Sequence, residues 1–300
     1  MALAKIFEVG KYGVIQDIED HELPPEAWTD AKNVRFFAGK ALRMTGQDSV
    51  HETVQVAPYN VFYCPIAGAN YWVYTGLSSV YAVTGSTHTD ISKSGGYSAV
   101  ADTPWTGGVL NGLLILNNGV DNPQQWSLSG PSVALADLSN WLASTTCKVM
   151  RPFREYLVAM DITESGTHDE DLLIWSQPAE PRSAPASWDY TDATKDAGTK
   201  VFSDSPGKLL DCLQLGGVNI VYKQDSTHLM QFVGGQYIHR FDPLFSNTGM
   251  LTYRCAVNVP KFGHFVVTDD DIITHHGVGN PESVLTNKVR QALFNSMAYI

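Results

Sequence analysis

The densest group of potential metal-ligating side chains lies near the C-terminal end of the sequence. Three consecutive acids at residues 269–271 are followed by His275 and His276. Carboxylate oxygens suit hard cations and imidazole suits transition metals, so a metal site is one hypothesis for this segment. On a strand, however, neighbouring residues point to opposite faces, and aspartates at a hairpin reversal accept hydrogen bonds from their own backbone. The pattern therefore favours a turn, and we expect neither a metal nor another cofactor.

Two further sets of reactive residue types lack the spacing that their chemistry needs. Residues 164–171 include one histidine and four acids but not the spaced acids, central glycine and terminal glutamate of a calcium loop, so we expect a solvated loop. The cysteines at positions 64, 147, 212 and 255 are far apart and form no Cys-x-x-Cys pair. We expect buried free thiols rather than a zinc or redox site.

Glycoside hydrolysis is the enzymatic activity to test against a propeller-like sequence of this kind, and it needs two carboxylates that face one sugar at a defined separation. None of the 31 acidic residues lies in a recognisable glycosidase motif. The sequence also contains no Gly-x-Ser-x-Gly elbow and no phosphate-binding glycine loop. We therefore predict no catalytic residue. A carbohydrate-binding or glycan-cleaving protein stays the alternative, because several tryptophans could stack on sugars, although their spacing is more typical of packing between hairpins: Trp72, Trp105, Trp126, Trp141, Trp175 and Trp188.

The composition predicts strands and turns as the elements that carry these residues. The 300 residues include 13 Tyr, 12 Phe, 7 Trp and 25 Gly, and only 17% of them are charged. Such a balance is typical of all-β proteins. The net charge of −11 disfavours non-specific electrostatic binding to DNA or to an anionic membrane. No segment approaches the roughly 20 apolar residues of a membrane helix, and the N-terminus lacks the apolar run of a signal peptide.

Five pairs of apolar runs repeat along the chain, and each pair reads as a β-hairpin. The centres of the first runs, at Val73, Ile115, Val158, Ile220 and Val266, are separated by 42, 43, 62 and 46 residues. The long interval contains a segment rich in Pro, Ala, Ser and Asp, which indicates an insertion at residues 177–206. The pairs are residues 71–75 with 80–84, 113–116 with 125–128, 156–160 with 172–175, 218–222 with 228–232, and 264–268 with 272–275.

Additional strands complete a repeat that is typical of propeller blades. A first strand is predicted before each pair, at residues 61–66, 104–110, 147–153, 209–215 and 254–260, and an outer strand at 88–92, 133–138 and 236–241. The cysteines lie in or beside the first strands, where small residues fit a crowded axis. We therefore predict an all-β fold: a β-propeller-like repeat of antiparallel blades, with an N-terminal extension and a short C-terminal helix.

The two ends of the chain depart from the repeat. Pro24 and Pro25 could begin a short helix, and a hairpin is predicted at residues 33–37 and 40–44 around Ala38-Gly39. After residues 280–283, a plausible helix start, apolar residues follow helical spacing. The predicted organisation is an extension at residues 1–50, blades at 51–280, and a helix with the start of a further element at 281–300.

The N-terminal segment resembles the opening of a known protein family. Residues 13–17 read Gly-Val-Ile-Gln-Asp, residues 23–30 read Leu-Pro-Pro-Glu-Ala-Trp-Thr-Asp, and residues 33–36 read Asn-Val-Arg-Phe. This order is similar to the start of the tail nozzle proteins of short-tailed bacteriophages, also called tail tubular protein B or phage stabilisation proteins. The Asp-Ile-Ile-Thr-His-His-Gly run at residues 271–277 is also similar to a feature of that family. The positions that carry the resemblance most clearly are Pro24, Trp28, Asp30, Asn33, Arg35 and Phe36.

The resemblance implies a structural protein of the virion tail, made in the host cytoplasm, with no catalytic residues. Family members form a ring, usually a hexamer, below the portal and adaptor rings and continue the channel for DNA ejection. The implied partners are copies of the chain itself, adaptor or portal-proximal tail proteins, tail fibres or spikes, and DNA in transit, with no membrane binding by the chain. The six positions above are then an assembly motif. Because the spacing of residues 1–44 is out of phase with the repeat, we expect them to lie against a neighbouring protein or the far side of the propeller.

Overall fold

The predicted fold class is confirmed: the chain is a five-bladed β-propeller arrangement with one short C-terminal helix. The computed structural model describes residues 5–66, 69–102, 105–127, 130–285 and 288–297. Strands make up 42% and helix 4% of the structure. Parts of some predicted segments, including residues 1–4, 104, 128 and 298–300, lie outside the described residues.

The strands form one small hairpin and five four-stranded antiparallel sheets, each a meander in chain order. The hairpin, which precedes the blades, is β1 (Val34–Phe37) with β2 (Lys40–Arg43). Blade 1 is β3 (Asn60–Ile66), β4 (Ala69–Thr75), β5 (Val80–Thr84) and β6 (Thr87–Asp90); blade 2 is β7 (Thr106–Leu110), β8 (Leu113–Asn117), β9 (Gln124–Trp126) and β10 (Ala136–Asp137); blade 3 is β11 (Thr145–Phe153), β12 (Tyr156–Glu164), β13 (Thr167–Trp175) and β14 (Gly198–Val201); blade 4 is β15 (Leu209–Leu215), β16 (Val218–Lys223), β17 (Thr227–Phe232) and β18 (His239–Phe245); blade 5 is β19 (Ala256–Val259), β20 (Gly263–Val267), β21 (Ile272–His275) and β22 (Glu282–Ser283).

The core consists of apolar layers between successive blades. Along β12, Leu157 and Ala159 pack toward blade 2, whereas Val158 and Met160 pack toward blade 4, and all four are fully buried. Both faces of an inner blade are therefore apolar, which explains why its strands read as continuous hydrophobic runs instead of alternating ones. Cys64, Cys147 and Cys212 are buried free thiols in first strands, as expected, and Cys255, just before β19, is half-buried.

A buried ion pair joins the first strands of three blades near the axis. The guanidinium of Arg151 in β11 makes two hydrogen bonds to the carboxylate of Asp211 in β15, at 2.8 and 2.7 Å. Its Nη1 also donates to the carbonyl of Gly107 in β7, at 3.2 Å. The Asp211 side chain is fully buried and that of Arg151 is mostly so. Blades 2, 3 and 4 are thus held in one relative position at the axis by a single arginine.

Further polar contacts continue this connection around the axis. Asn60 of blade 1 donates through Nδ2 to the carbonyl of Trp105, just before blade 2, at 2.7 Å. Arg254, two residues before β19, donates to the Tyr59 carbonyl and to Asn60 Oδ1, both at 2.8 Å. Blade 5 is thereby linked back to blade 1.

Two segments predicted as a loop and an insertion contain strands in the structure. The loop expected at residues 164–171 is the tip of a long hairpin, because β12 continues to Glu164 and β13 begins at Thr167. The insertion expected at residues 177–206 contains the outer strand β14, and it places Trp188 in the core, edge-on against Trp141. In both segments polar residues on the solvent side interrupt the apolar run from which a strand is predicted.

The C-terminal helix is shorter than the spacing of the apolar residues after position 283 indicates. Residues expected to begin it form β22, and helix α1 covers only Arg290–Ser296. Ser283 donates to the buried carboxylate of Asp271 at 3.0 Å, so strand pairing in blade 5 competes successfully with the helical pattern. Among the described residues, no helix is long and apolar enough to cross a membrane.

We predict that Asp211→Ala destabilises the protein strongly, because it leaves the mostly buried Arg151 guanidinium without a counter-charge. The expected loss is about 3 to 5 kcal/mol in the free energy of unfolding, measured by urea denaturation. The control is Asp242→Ala, which removes the partner of the exposed Arg240 and should cost less than about 1 kcal/mol. Equal losses in the two variants would contradict a dominant role of the axial pair.

A second prediction concerns His239, which lies in a cage formed by the rings of Phe153, Tyr156, Trp175 and Phe232. Neither ring nitrogen makes a hydrogen bond of normal geometry within the described part of the chain. Burial, followed by the charge of Arg154, lowers the pKa of His239 to about 4. The folded state therefore favours neutral imidazole, and stability present above pH 6.5 is lost as the pH falls from about 6.5 toward 4.

His239→Phe preserves the cage and removes this titration. Between neutral pH and pH 4, the free energy of unfolding should fall by roughly 2 to 3 kcal/mol less in the variant than in the wild type. Urea denaturation at several pH values across this range measures the difference. His21→Phe, at an exposed position, is the control. Parallel pH profiles for the wild type and His239→Phe would show that the caged imidazole is not the source of acid sensitivity.

Candidate functional site

Trp28 organises residues 5–44, which we call the N-terminal unit. Its backbone pairs in parallel with Val14: Ile15 N donates to Trp28 O at 2.8 Å, and Trp28 N donates to Gly13 O at 2.9 Å. The indole N–H donates to the Val9 carbonyl, and the ring lies edge-on against Phe36, with 5.9 Å between centroids. Two motif residues, Trp28 and Phe36, therefore connect separate segments of this unit.

The predicted hairpin is confirmed as β1 and β2. Asn33 precedes it with φ at +59°, a left-handed conformation that asparagine tolerates, and its carbonyl accepts the Met44 N–H at 3.0 Å. Ala38 and Gly39 both have positive φ, as a tight two-residue reversal requires. Gly10 N donates to Gly39 O at 2.9 Å, so the preceding segment runs beside the turn.

The remaining motif residues shape the entry to the hairpin. The carbonyl of Pro24 accepts the Ala27 N–H at 2.9 Å, which forms a single turn. The prediction of a short helix at Pro24 and Pro25 is therefore wrong. A brief 3₁₀ helix, Asp20–Glu22, lies just before it instead. Because a residue that precedes a proline is disfavoured in the α region, Pro24 before Pro25 prevents regular helix at this point. Asp30 and Arg35 are exposed.

Asp17 joins the N-terminal unit to helix α1. Its carboxylate accepts the backbone N–H groups of Arg290, Gln291 and Ala292 at 2.7, 3.0 and 3.2 Å. Val289, the residue at the N-cap position, provides no side-chain hydrogen bond. Asp17 thus caps the helix from the other end of the chain, and its negative charge suits the positive end of the helix dipole.

Arg290 then connects helix α1 to blade 5. Its guanidinium forms an ion pair with the Asp270 carboxylate, and Nε donates to the Asp270 carbonyl at 2.8 Å. Asp271 is held in the β20–β21 turn, where Thr268 N donates to its carbonyl at 2.9 Å. Two of the three consecutive acids therefore serve a turn and an ion pair. Among the described residues, no group of three or more His, Cys, Asp or Glu could hold a metal ion.

His275 and His276 point to opposite sides of their strand, as predicted, since one is buried and the other exposed. His275 belongs to a buried chain of hydrogen bonds with Tyr222 of blade 4 and His264. Tyr222 Oη lies 2.7 Å from His275 Nε2 and 2.7 Å from His264 Nδ1. The Gly277 N–H donates to His275 Nδ1, which assigns the proton to Nε2 and lets the Tyr222 hydroxyl donate to His264.

The hydrogen bonds among Tyr222, His264 and His275 join blade 4 to blade 5 through neutral imidazoles. Burial lowers the pKa of His264, and burial, with His264 and His276 adding to it, lowers that of His275 to about 4. Burial also raises the pKa of Tyr222 well above its usual value. All three groups have partners and lie inside the core, so their role is structural.

The arrangement that most resembles acid–base machinery is Asp161 with His168 and Tyr253. The carboxylate lies 2.6 Å from His168 Nε2 and accepts the Tyr253 hydroxyl at 3.0 Å. Asp161 is buried at a β-bulge with φ at +56°, whereas His168 is half exposed. A cavity lined by Ile162 and Asp169 lies on the other face of this hairpin, because Thr163 and His168 form the next pair. His168 therefore points away from that cavity.

An apolar groove of about 420 Å³ lies on the outer face of blade 1. Trp72 is 41% and Val61 is 52% exposed there, and Tyr63 packs beside Trp72 with 5.1 Å between ring centroids. Val50 and Val54, from the segment that leads into blade 1, form its other wall. The spacing of Trp72 predicted packing between blades, and here that expectation is wrong, since Trp72 is 41% exposed and its side chain faces residues 50–58 instead of another blade.

The comparisons with known proteins add no assignment: no family model matches the sequence, and no curated protein matches it.

We predict that Asp17→Ala frees the N-terminal unit from helix α1. Loss of an N-cap costs about 1 kcal/mol, so amide exchange should accelerate at residues 290–293 and in the N-terminal unit, measured by hydrogen–deuterium exchange with mass spectrometry. Asp20→Ala, at an exposed 3₁₀ position, is the matched control. Unchanged exchange at residues 290–293 would mean that this carboxylate does not hold the helix.

Proposed function

We propose that this chain is a tail nozzle subunit of a short-tailed bacteriophage, a structural virion protein without enzymatic activity. Copies of it form a ring of six below the portal and adaptor, continue the channel through which DNA leaves, and support tail fibres or spikes. The N-terminal unit is the main support: the residues that resemble the nozzle family, including Trp28, Asn33 and Phe36, pack into one unit outside the blades.

The charge of the chain is consistent with a conduit. A net charge of −11 repels DNA phosphates at short range, so DNA in transit is not retained, whereas a basic wall would bind it. The attachment of the N-terminal unit to helix α1 and, through Arg290, to blade 5 also gives an assembly element a fixed position on the propeller.

A carbohydrate-binding propeller is the second candidate, and the groove on blade 1 favours it. The exposed Trp72, with Tyr63 beside it, offers an aromatic surface on which a sugar ring can stack. Among the described residues that line this groove there is no acid. The groove therefore suits binding rather than glycoside cleavage, which needs two carboxylates.

Two tryptophan variants distinguish these candidates. We expect Trp28→Ala to abolish ring formation while the far-UV circular dichroism of the blades is retained, because the indole connects three segments of the N-terminal unit. Trp72→Ala, at a similarly exposed indole, should leave ring formation intact. Mass photometry of both variants with and without adaptor rings measures this. Normal assembly of Trp28→Ala, together with loss of polysaccharide binding in Trp72→Ala, would favour the carbohydrate function.

A further inference from the structure

The hairpin of the N-terminal unit has one face against the chain and one face that no other described residue covers. The register pairs Arg35 with Leu42 and Phe37 with Lys40, and these four side chains share the outer face. Phe37 is 59% and Leu42 is 41% exposed, and both cations are exposed as well. The inner face, with Phe36, packs under Trp28.

The outer face combines apolar surface with preorganised positive charge. The guanidinium of Arg35 lies over the Phe37 ring, 5.0 Å from its centroid. This cation–π contact holds the planar donor group in place at the edge of the apolar patch. Apolar residues flanked by such cations are typical of a protein interface, in which aromatic and arginine side chains contribute most of the binding energy.

The hairpin is basic in a protein that is otherwise acidic. Residues 32–43 contain four bases and no acid, so the other residues contain 31 acids and 16 of the 20 bases, a net charge of 16 − 31 = −15. Acids are concentrated in two segments: residues 17–30 contain six acids and no lysine or arginine, and residues 155–196, in blade 3, contain ten acids and two bases. Exposed acids that complement the hairpin in charge, such as Glu170, Glu180 and Asp189 of blade 3, are therefore present on every copy of this chain.

We propose that the outer face of the β1–β2 hairpin binds an acidic surface of a second copy of this chain. The inference rests on the proposed function, since it names the contact by which neighbouring subunits join. Phe37 and Leu42 are buried in the contact, and Arg35 and Lys40 pair with carboxylates around it.

DNA is a poorer occupant of this face. The outer face presents two cations, whereas strong binding to duplex DNA needs several phosphate contacts, each of which makes binding more salt-dependent. The exposed phenylalanine and leucine would gain little from a phosphate backbone. The net negative charge of the whole chain opposes nucleic acid and favours the hairpin of another copy.

Charge reversal on the hairpin tests the proposal with the chain of 300 residues. Arg35→Glu/Lys40→Glu changes the net charge by −4, and so does the control Arg240→Glu/Lys261→Glu at exposed positions of blades 4 and 5. Sedimentation velocity over a range of concentrations and salt gives the self-association constant. We expect the hairpin variant to weaken self-association about tenfold or more, the control to match the wild type, and high salt to weaken the wild type.

Two additional measurements identify the contact and its occupant. Phe37→Ser, which keeps the charge, should also weaken association, since it removes the apolar centre. Zero-length carbodiimide cross-linking of mixed ¹⁴N and ¹⁵N copies should connect Lys40 of one copy to a carboxylate of another.

The possible failures are distinguishable. If the wild type associates and both hairpin variants associate equally well, the hairpin inference is wrong while the ring proposal stands. If the wild type stays monomeric under all conditions, both are wrong. If the wild type stays monomeric and a short DNA duplex binds it but not Arg35→Glu/Lys40→Glu, the face is a nucleic-acid site instead.

Discussion

The bidentate ion pair between Arg151 and Asp211 is the interaction on which the arrangement of the blades depends. It joins two first strands directly and a third through the Gly107 carbonyl. Apolar layers between blades provide most of the stabilisation, but they tolerate sliding, whereas a buried charge with its counter-charge in one geometry does not. Desolvation makes such a pair costly, so its contribution is better understood as specifying how blades 2, 3 and 4 are oriented at the axis.

The ends of the chain depend on a second set of long-range contacts. Asp17 caps helix α1, and Arg290 pairs that helix with the turn before β21. Blade 5 is in turn fastened to blade 4 through Tyr222, His264 and His275. The N-terminal unit is thereby held at a defined place on the propeller, which is what an element that contacts a neighbouring subunit requires.

Periodicity in the sequence was sufficient to predict the blades, because each hairpin is local and its apolar runs are bounded by turn residues. The β1–β2 hairpin was predicted for the same reason, from Ala38-Gly39 between two short runs. The start of helix α1 was not predicted correctly, because residues that have helical spacing form β22 and pair with β21 instead. Arg151–Asp211 and Asp17–Arg290 were not predictable either, because 60 and 273 residues separate their partners and no local pattern marks a contact that the folded chain creates. The resemblance selected the six motif positions, but it did not indicate that Trp28 and Phe36 pack against each other while Arg35 is exposed.

In the proposed function, this chain is a subunit that assembles into a ring around a channel. The decisive measurement is electron cryomicroscopy of the 300-residue protein, alone and mixed with adaptor rings. We expect a closed ring with an axial channel, in which the N-terminal units lie at subunit contacts and the five blades form the wall. A compact monomer that ignores adaptor rings, with the N-terminal unit facing solvent and polysaccharide bound at Trp72, would contradict it.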